Sequence, residues 1–308
     1  MFVLENKRVL VIGLGLSGAA AAELALSRGA KVTAIDSAEN ESLRRQAADF
    51  RTRGVEVVLS ATGLPAGQFD LAVLSPGVPL DHPIVVAVKA QKIRLMGELE
   101  LGYQQSLALN ISVTGTNGKT TTTELIEHVL TSSRLKTVAA GNIGTPLCAV
   151  ANRARELDFL TLEVSSFQLE TIEFFRPAVA VLTNITPDHL DRYAGMDEYA
   201  RAKARIFENQ QAFDWAIVQS EALAHLAKLH VGIPSKVITF SAIDPTADFY
   251  FDRGMIISRM ENWSERCGSR SRTAGSPRST SSAIQRGSLI STCRSSIEIR
   301  DRQGRRSV

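Results

Sequence analysis

Short apolar runs alternating with helical stretches fill most of this 308-residue chain. Arg8-Val9-Leu10-Val11-Ile12, Lys31-Val32-Thr33-Ala34-Ile35-Asp36, Val55-Glu56-Val57-Val58 and Leu71-Ala72-Val73-Leu74-Ser75 read as strands, each beside Gly or Pro punctuation. A helix from about Gly18 to Arg28 separates the first two. This predicts a βαβ layout on a parallel sheet, a Rossmann-like domain over residues 1–97. A second series opens at Ile111-Ser112-Val113 and continues at 159–164, 179–183 and 215–218, with helical patterns between, notably from Met196 to Gln211. It predicts a second open α/β domain over residues 98–260.

The pattern stops after Glu261. Ser and Arg supply 22 of the 45 residues from Ser264 onward, with ten arginines, no lysine and three acidic residues. A disordered basic tail is one reading of residues 261–308, since such a composition buries too little surface to offset chain entropy. An aberrant segment translated in a shifted reading frame is the other, and arginine without lysine favours it. The tail also explains the net charge of +3: it carries +7 and leaves −4 for the rest. The folded part therefore has no nucleic-acid footprint. Cys148, Cys267 and Cys293 form no metal-ligand or disulfide spacing. No signal peptide or membrane span is legible, so a cytoplasmic protein without a membrane partner is expected.

The most informative stretch is Gly115-Thr116-Asn117-Gly118-Lys119-Thr120-Thr121, set between an apolar strand and a helical pattern that continues through Glu124–Leu130. Glycines there let backbone N–H groups turn toward phosphate, Lys119 would face the β- and γ-phosphates, and the Thr120 hydroxyl would face Mg²⁺. The spacing is G-x-x-G-K-T. Val113 stands where the longer phosphate-loop pattern has glycine, so an ordinary strand-to-helix turn remains the alternative. Gly13-Leu14-Gly15-Leu16-Ser17-Gly18, with Asp36 ending the next strand, has the geometry of a dinucleotide fingerprint. NAD, a nucleotide sugar, or glycines that serve packing alone all fit it. Ser75-Pro76-Gly77-Val78 follows a strand end and reads as a rigid turn. Glu163, at the end of an apolar strand, suits either a Mg²⁺ ligand or a helix cap. His189 lies between Asp188 and Asp191 after another strand end, which favours a role near phosphate or metal.

Taken in order, these segments resemble the Mur ligases, together with Gly141-Asn142-Ile143-Gly144, Leu162 to Glu170 and Asn184 to Asp191. The nearest branch joins D-glutamate to UDP-N-acetylmuramoyl-L-alanine. The resemblance spans roughly residues 5 to 257, and it implies that the second domain, 98–260, is a central, phosphate-loop ATPase-like α/β domain. It implies an ATP-dependent ligase of peptidoglycan precursor synthesis: ATP phosphorylates the substrate carboxylate, and the amine of D-glutamate attacks the acyl phosphate. It implies ATP contacts at Gly115, Thr116, Asn117, Gly118, Lys119, Thr120 and Thr121, and catalytic roles for Lys119, His189 and Lys203. Two Mg²⁺ ions would be held by Thr120 and Glu163 and by His189 and Lys203, the last as a carbamylated lysine. Leu16, Ser17, Asp36, Ser37 and Gly77 would line the UDP moiety, with Asn142 and Ser165 near phosphates and substrate. The family is expected to act as a monomer.

The family's third, C-terminal domain has no counterpart in the pattern, where the Ser/Arg tail starts instead. The sequence expectation is therefore retained nucleotide-sugar binding, weakened ATP binding and little ligation. A folylpolyglutamate synthase-like ligase, an NAD-binding module and a non-catalytic nucleotide-binding fragment are the alternatives.

Overall fold

A computed structural model describes residues 2–259, so the expectation of an aberrant tail at 261–308 lies outside the described residues. The first sheet contains β1 (Arg8–Ile12), β2 (Lys31–Ile35), β3 (Glu56–Val58), β4 (Leu71–Leu74) and β5 (Arg94–Gly97), in the order β3-β2-β1-β4-β5. Every pairing in it is parallel. Helices α1 (Leu16–Ser27), α2 (Glu41–Thr52) and α3 (Pro83–Ala90) connect the strands, and α4 (Glu98–Gln105) leads out of the sheet. β1, β2 and β4 are apolar at nearly every position because both faces of such a sheet are covered. The start of α2 is set by Asn40, whose side chain accepts the Leu43 N–H, and that of α3 by Pro83 in its first turn.

α1 begins two residues before the expected start, which places Gly18 inside the helix. A methyl group on Gly18 would overlap the Gly13 carbonyl oxygen, so that glycine permits the close crossing of turn and helix.

The second sheet contains β6 (Leu109–Thr114), β7 (Thr137–Gly141), β8 (Phe159–Glu163), β9 (Val179–Leu182), β10 (Trp215–Gln219), β11 (Lys236–Ser241), β12 (Phe249–Asp252) and β13 (Met255–Ser258). Their order is β13-β12-β11-β10-β9-β6-β8-β7, parallel throughout except for the β12–β13 hairpin at the edge. The accompanying helices are α5 (Lys119–Ser132), α6 (Leu147–Val150), α7 (Ser166–Leu169), α8 (Met196–Ala204) and α9 (Ser220–Lys228). The helix expected to reach Gln211 stops at Ala204 and tightens to a 3₁₀ turn at Arg205–Phe207. Arg205 there turns inward and donates to the carbonyls of Glu170 and Ile172 at 2.6 and 3.0 Å, while Ile206 and Phe207 are buried side by side. The 3₁₀ turn sets both apolar side chains in the core while the guanidinium reaches those two carbonyls.

The described residues form one compact unit. Its seam is α6, which packs against α1 and α4, and Cys148 and Ala151 share an apolar cluster with first-sheet residues. In each sheet the strand order reverses beside the first strand, β1 or β6. Parallel sheets place ligands at the carboxyl ends of strands at such a reversal.

Candidate nucleotide site

The turn from β6 into α5 is laced to the segment that follows β9. Thr116 N–H donates to the Asn184 carbonyl at 3.1 Å, Asn117 N–H to Asn184 Oδ1 at 2.9 Å, and Thr183 Oγ1 to the Asn117 carbonyl at 2.8 Å. Thr116 Oγ1 donates to the Thr186 carbonyl at 3.1 Å and accepts the Thr186 N–H at 3.0 Å. Gly115, at φ +147°, lies where a methyl group would overlap Thr183 Oγ1. Gly118, at φ +79°, turns the chain into α5. The fourteen-residue α5 thus starts with its free N–H groups and positive dipole end at the loop, an arrangement suited to phosphate. Lys119 Nζ donates to the Thr116 carbonyl at 2.8 Å, so its ammonium lies against the loop. Thr121 is exposed on the first turn.

Glu163 is brought to this turn because β8 pairs with β6, register Val113 to Glu163. Its carboxylate is buried, with the Thr120 hydroxyl donating to Oε2 at 2.6 Å and the Asn142 amide to Oε1 at 2.8 Å. Asn142 N–H also donates to the Glu163 carbonyl at 2.8 Å. Gly141 makes this approach possible, since at φ +102° a methyl there would overlap that same carbonyl oxygen. A hydroxyl and a carboxylate beside a phosphate loop are hard oxygen donors that fit Mg²⁺, which takes one or two protein oxygens and fills its octahedron with water and phosphate. Among the described residues no three His, Cys, Asp or Glu side chains cluster as an all-protein metal cage.

Lys203 projects from α8 into the back of the loop. It is 2% exposed, its Nζ donates to the Gly115 carbonyl at 2.7 Å, and the same nitrogen lies 4.4 Å from the Tyr199 ring centre. Burial first, then the charge of Lys119, pull its ammonium down to about 7, against an opposing pull from Asp188. His189 stands at φ +52° with its ring 4.9 Å from Phe167 and 6.2 Å from Tyr199, and its Nε2 3.6 Å from Asp188 Oδ2. It lines a cleft of about 880 Å³ whose walls also include Pro79, Leu80 and Asp81 from the first-sheet side and Phe167, Arg192 and Arg201 from the second.

The first sheet carries a separate recess of about 140 Å³ at the carboxyl ends of β1, β2 and β4, lined by Gly13, Asp36, Ser37 and Gly77 among others. Asp36 is engaged locally: Oδ2 accepts the Leu14 N–H at 2.7 Å and Oδ1 the Ala38 N–H at 2.8 Å, which stiffens the glycine turn. Leu16 is largely exposed beside an adjoining groove, and Ser17 sits half-buried on the first turn of α1. Ser165 is the N-cap of α7, in a reciprocal capping box with Gln168.

Sequence reasoning singled out the run from Asn184 to Asp191 but not the clasp that Thr183, Asn184 and Thr186 form with the loop, and it passed over Tyr199. The signal for the clasp was a run of small hydrogen-bonding side chains directly after a buried strand. For Tyr199 it was spacing, four residues before Lys203 on one helix face.

Residues 113–262 match the Mur ligase middle domain, and residues 7–97 match the Mur ligase MurD-like N-terminal domain. A UDP-N-acetylmuramoylalanine--D-glutamate ligase of Koribacter versatilis is 45% identical over 240 residues, covering 77% of this chain and 52% of the relative. The ligase of the same name from Pelotomaculum thermopropionicum is 42% identical over 263 residues, covering 84% and 57%. This chain therefore spans about half the length of the curated relatives it matches. Among solved structures, a UDP-N-acetylmuramate:L-alanyl-gamma-D-glutamyl-meso-diaminopimelate ligase from Neisseria meningitides superposes with a TM-score of 0.51 at 19% identity, covering 80% of each chain, a likeness of fold. With one family's two domains matched across both sheets, the chain belongs to the Mur ligase family.

Proposed function

We propose that this chain carries the nucleotide-sugar site and the ATP-activating site of a ligase that joins D-glutamate to UDP-N-acetylmuramoyl-L-alanine. The observation that carries the reading is the contact of Thr120 and Asn142 with Glu163 at the mouth of the phosphate loop. A carboxylate is a poor acyl donor. In the proposed reaction its oxygen attacks the γ-phosphorus of ATP and ADP leaves. The amine of D-glutamate then attacks the acyl carbon, phosphate departs, and the amine loses a proton.

The residues present fit these demands. α5 directs N–H groups at phosphate, and Lys119 can leave the Thr116 carbonyl for a phosphate oxygen. Mg²⁺, when bound, would offset the repulsion between two anions, with Thr120 and Glu163 holding one ion and His189 and Lys203 a second. Lys203 is suited to carbamylation because addition of CO₂ needs a neutral amine, and its ammonium is depressed to about 7. Leu16, Ser17, Asp36, Ser37 and Gly77 would take the UDP moiety in the first-sheet recess, and Ser165 would meet the acyl end. The reading places the protein in the cytoplasm as a monomer, without nucleic-acid or membrane partners. Among the described residues no helix is long and apolar enough to cross a membrane.

Calorimetry tests this directly: the chain is titrated with UDP-N-acetylmuramoyl-L-alanine, with Mg²⁺-ADP, and with NAD. Saturable heat with the first two supports the ligase. Heat with NAD alone would overturn it.

A further inference from the structure

Glu170 immediately follows α7, and its side chain spans to the loop that carries His189. The Tyr193 hydroxyl donates to Oε1 at 2.6 Å and Arg192 Nη2 to Oε2 at 3.2 Å. Its backbone carbonyl is held as well, by Arg205 at 2.6 Å. The ion pair keeps the Arg192 guanidinium 3.8 Å from the Phe167 ring centre, and Phe167 in turn neighbours both the His189 ring at 4.9 Å and the Tyr193 ring at 6.0 Å. The same two residues close the main chain on His189, whose carbonyl accepts the N–H groups of Arg192 at 3.0 Å and Tyr193 at 3.2 Å.

That double attachment matters because His189 is in a position that does not hold itself. Its backbone is in the left-handed region at φ +52°, which an L side chain adopts only where the surroundings over-determine it. Its ring is half-exposed, with Asp188 as its near charged neighbour. The Tyr193 hydroxyl belongs to a residue only 6% exposed and is also in hydrogen-bond contact with Ser166, so deleting the carboxylate removes its charged acceptor and favours movement of the ring toward other partners. One carboxylate thus fixes both residues that close the turn and, through Arg192, the aromatic face beside the imidazole.

We propose that Glu170 is the positioning residue for His189, setting the turn and the Phe167 face that hold the imidazole at the wall of the cleft. Only the consequence that His189 is aimed at reacting groups rests on the ligase reading; the placement is testable without turnover.

The experiment is histidine-ring NMR on the full chain, with His189 assigned by the signal lost in His189→Gln. In the wild type the Phe167 ring displaces the His189 ring protons from the free-histidine position. Glu170→Ala is expected to lose most of that displacement. Glu170→Gln, which keeps an acceptor for Tyr193 but removes the ion pair, is expected to lose part of it, while His82, His128 and His230 stay fixed. A folded Glu170→Ala protein with an unmoved His189 signal overturns the proposal, even if its melting temperature falls, because that outcome marks a role in stability alone. Should the alanine variant not fold, Tyr193→Phe and Arg192→Gln each remove one attachment, and an unmoved signal in both overturns it equally. Mg²⁺-ADP titration of the wild type runs alongside: absence of heat there counts against the nucleotide reading and leaves the NMR result to decide on Glu170.

Discussion

Lys203 Nζ and the Gly115 carbonyl oxygen lie 2.7 Å apart, so a buried lysine fastens the first residue of the phosphate loop. The contact joins α8 to the loop across 88 positions of sequence, and the nitrogen that makes it is the one proposed to take up CO₂. A carbamate has lost two of the three ammonium protons and carries the opposite charge.

Lys203 gives stability a specific pH dependence. Its ammonium is depressed from 10.5 to about 7, so between those values the folded state holds fewer protons than the unfolded one. Stability therefore rises with pH across that window, as the cost of burying the charge is relieved. Lys203→Met should flatten this part of the profile. Urea midpoints at pH values spanning 7 to 10.5 measure it, and parallel curves for the two proteins would count against a depressed lysine. Added bicarbonate should raise the wild-type mass by one CO₂ under native conditions, and that of Lys203→Met not at all.

The Thr120–Glu163 contact predicts how nucleotide binding fails. Thr120→Ala and Glu163→Gln each remove one hard oxygen donor and leave the loop's glycines and α5 intact. Each should weaken Mg²⁺-ADP binding by about tenfold or more, the equivalent of roughly 1.5 kcal/mol for a charge-assisted contact. The loss should be smaller when Mg²⁺ is withheld. Equal weakening with and without Mg²⁺, read by calorimetry, would show that these residues act on loop shape instead.

Glycines at two crossings predict a sharper effect on folding. A methyl on Gly18 would overlap the Gly13 carbonyl, and one on Gly115 would overlap Thr183 Oγ1 at a backbone angle unfavourable to any L side chain. Gly18→Ala should destabilise by about 2 kcal/mol or more by forcing α1 off β1. Gly115→Ala should cost a similar amount and also abolish nucleotide binding. Gly15→Ala, where the added methyl meets open space, is the control. Thermal melts that rank Gly15→Ala with Gly18→Ala would refute this account of the turn.

How much of this was legible beforehand depended on the range of the signal. β1, β2 and β4 announce themselves as apolar runs because a parallel sheet buries both faces. β13 is a short edge hairpin with Ile256 exposed, and nothing in its pattern marks a strand that pairs antiparallel. Lys119, Thr120 and Glu163 could be proposed together because motif and strand end both point one way. The contacts of Lys203 with Gly115 and of Glu170 with Tyr193 were not legible, since they join separate elements and depend on β6, β8 and β9 lying side by side. Asp36 and Ser165 show the converse: each was read for a ligand, and each has a local hydrogen-bonding task in the fold that this reading did not foresee.

Glu98 supplies the last prediction, at the seam between the sheets. It is 1% exposed at the start of α4, its Oε1 accepts the Cys148 N–H at 2.7 Å, and its Oε2 has no partner among the described residues. Burial, only partly offset by the Cys148 N–H and thiol, pushes the carboxyl up from 4.5 to about 7. In that interval the folded protein holds a proton that the unfolded chain has released, so stability falls as pH rises from 4.5 to about 7, opposite in sign to the Lys203 effect. Glu98→Gln keeps an acceptor for Cys148 and has no charge to bury. The two proteins should be similarly stable near pH 5, and the variant should be more stable by on the order of 2 kcal/mol above pH 7. Because α6 ends the segment that delivers Asn142 to Glu163, weakening this seam at alkaline pH should also loosen the nucleotide site. Amide exchange of Asn142 and Cys148 at pH 8 reads both effects: faster exchange in the wild type than in Glu98→Gln is expected, and identical rates would show that the carboxyl is not charged at the seam.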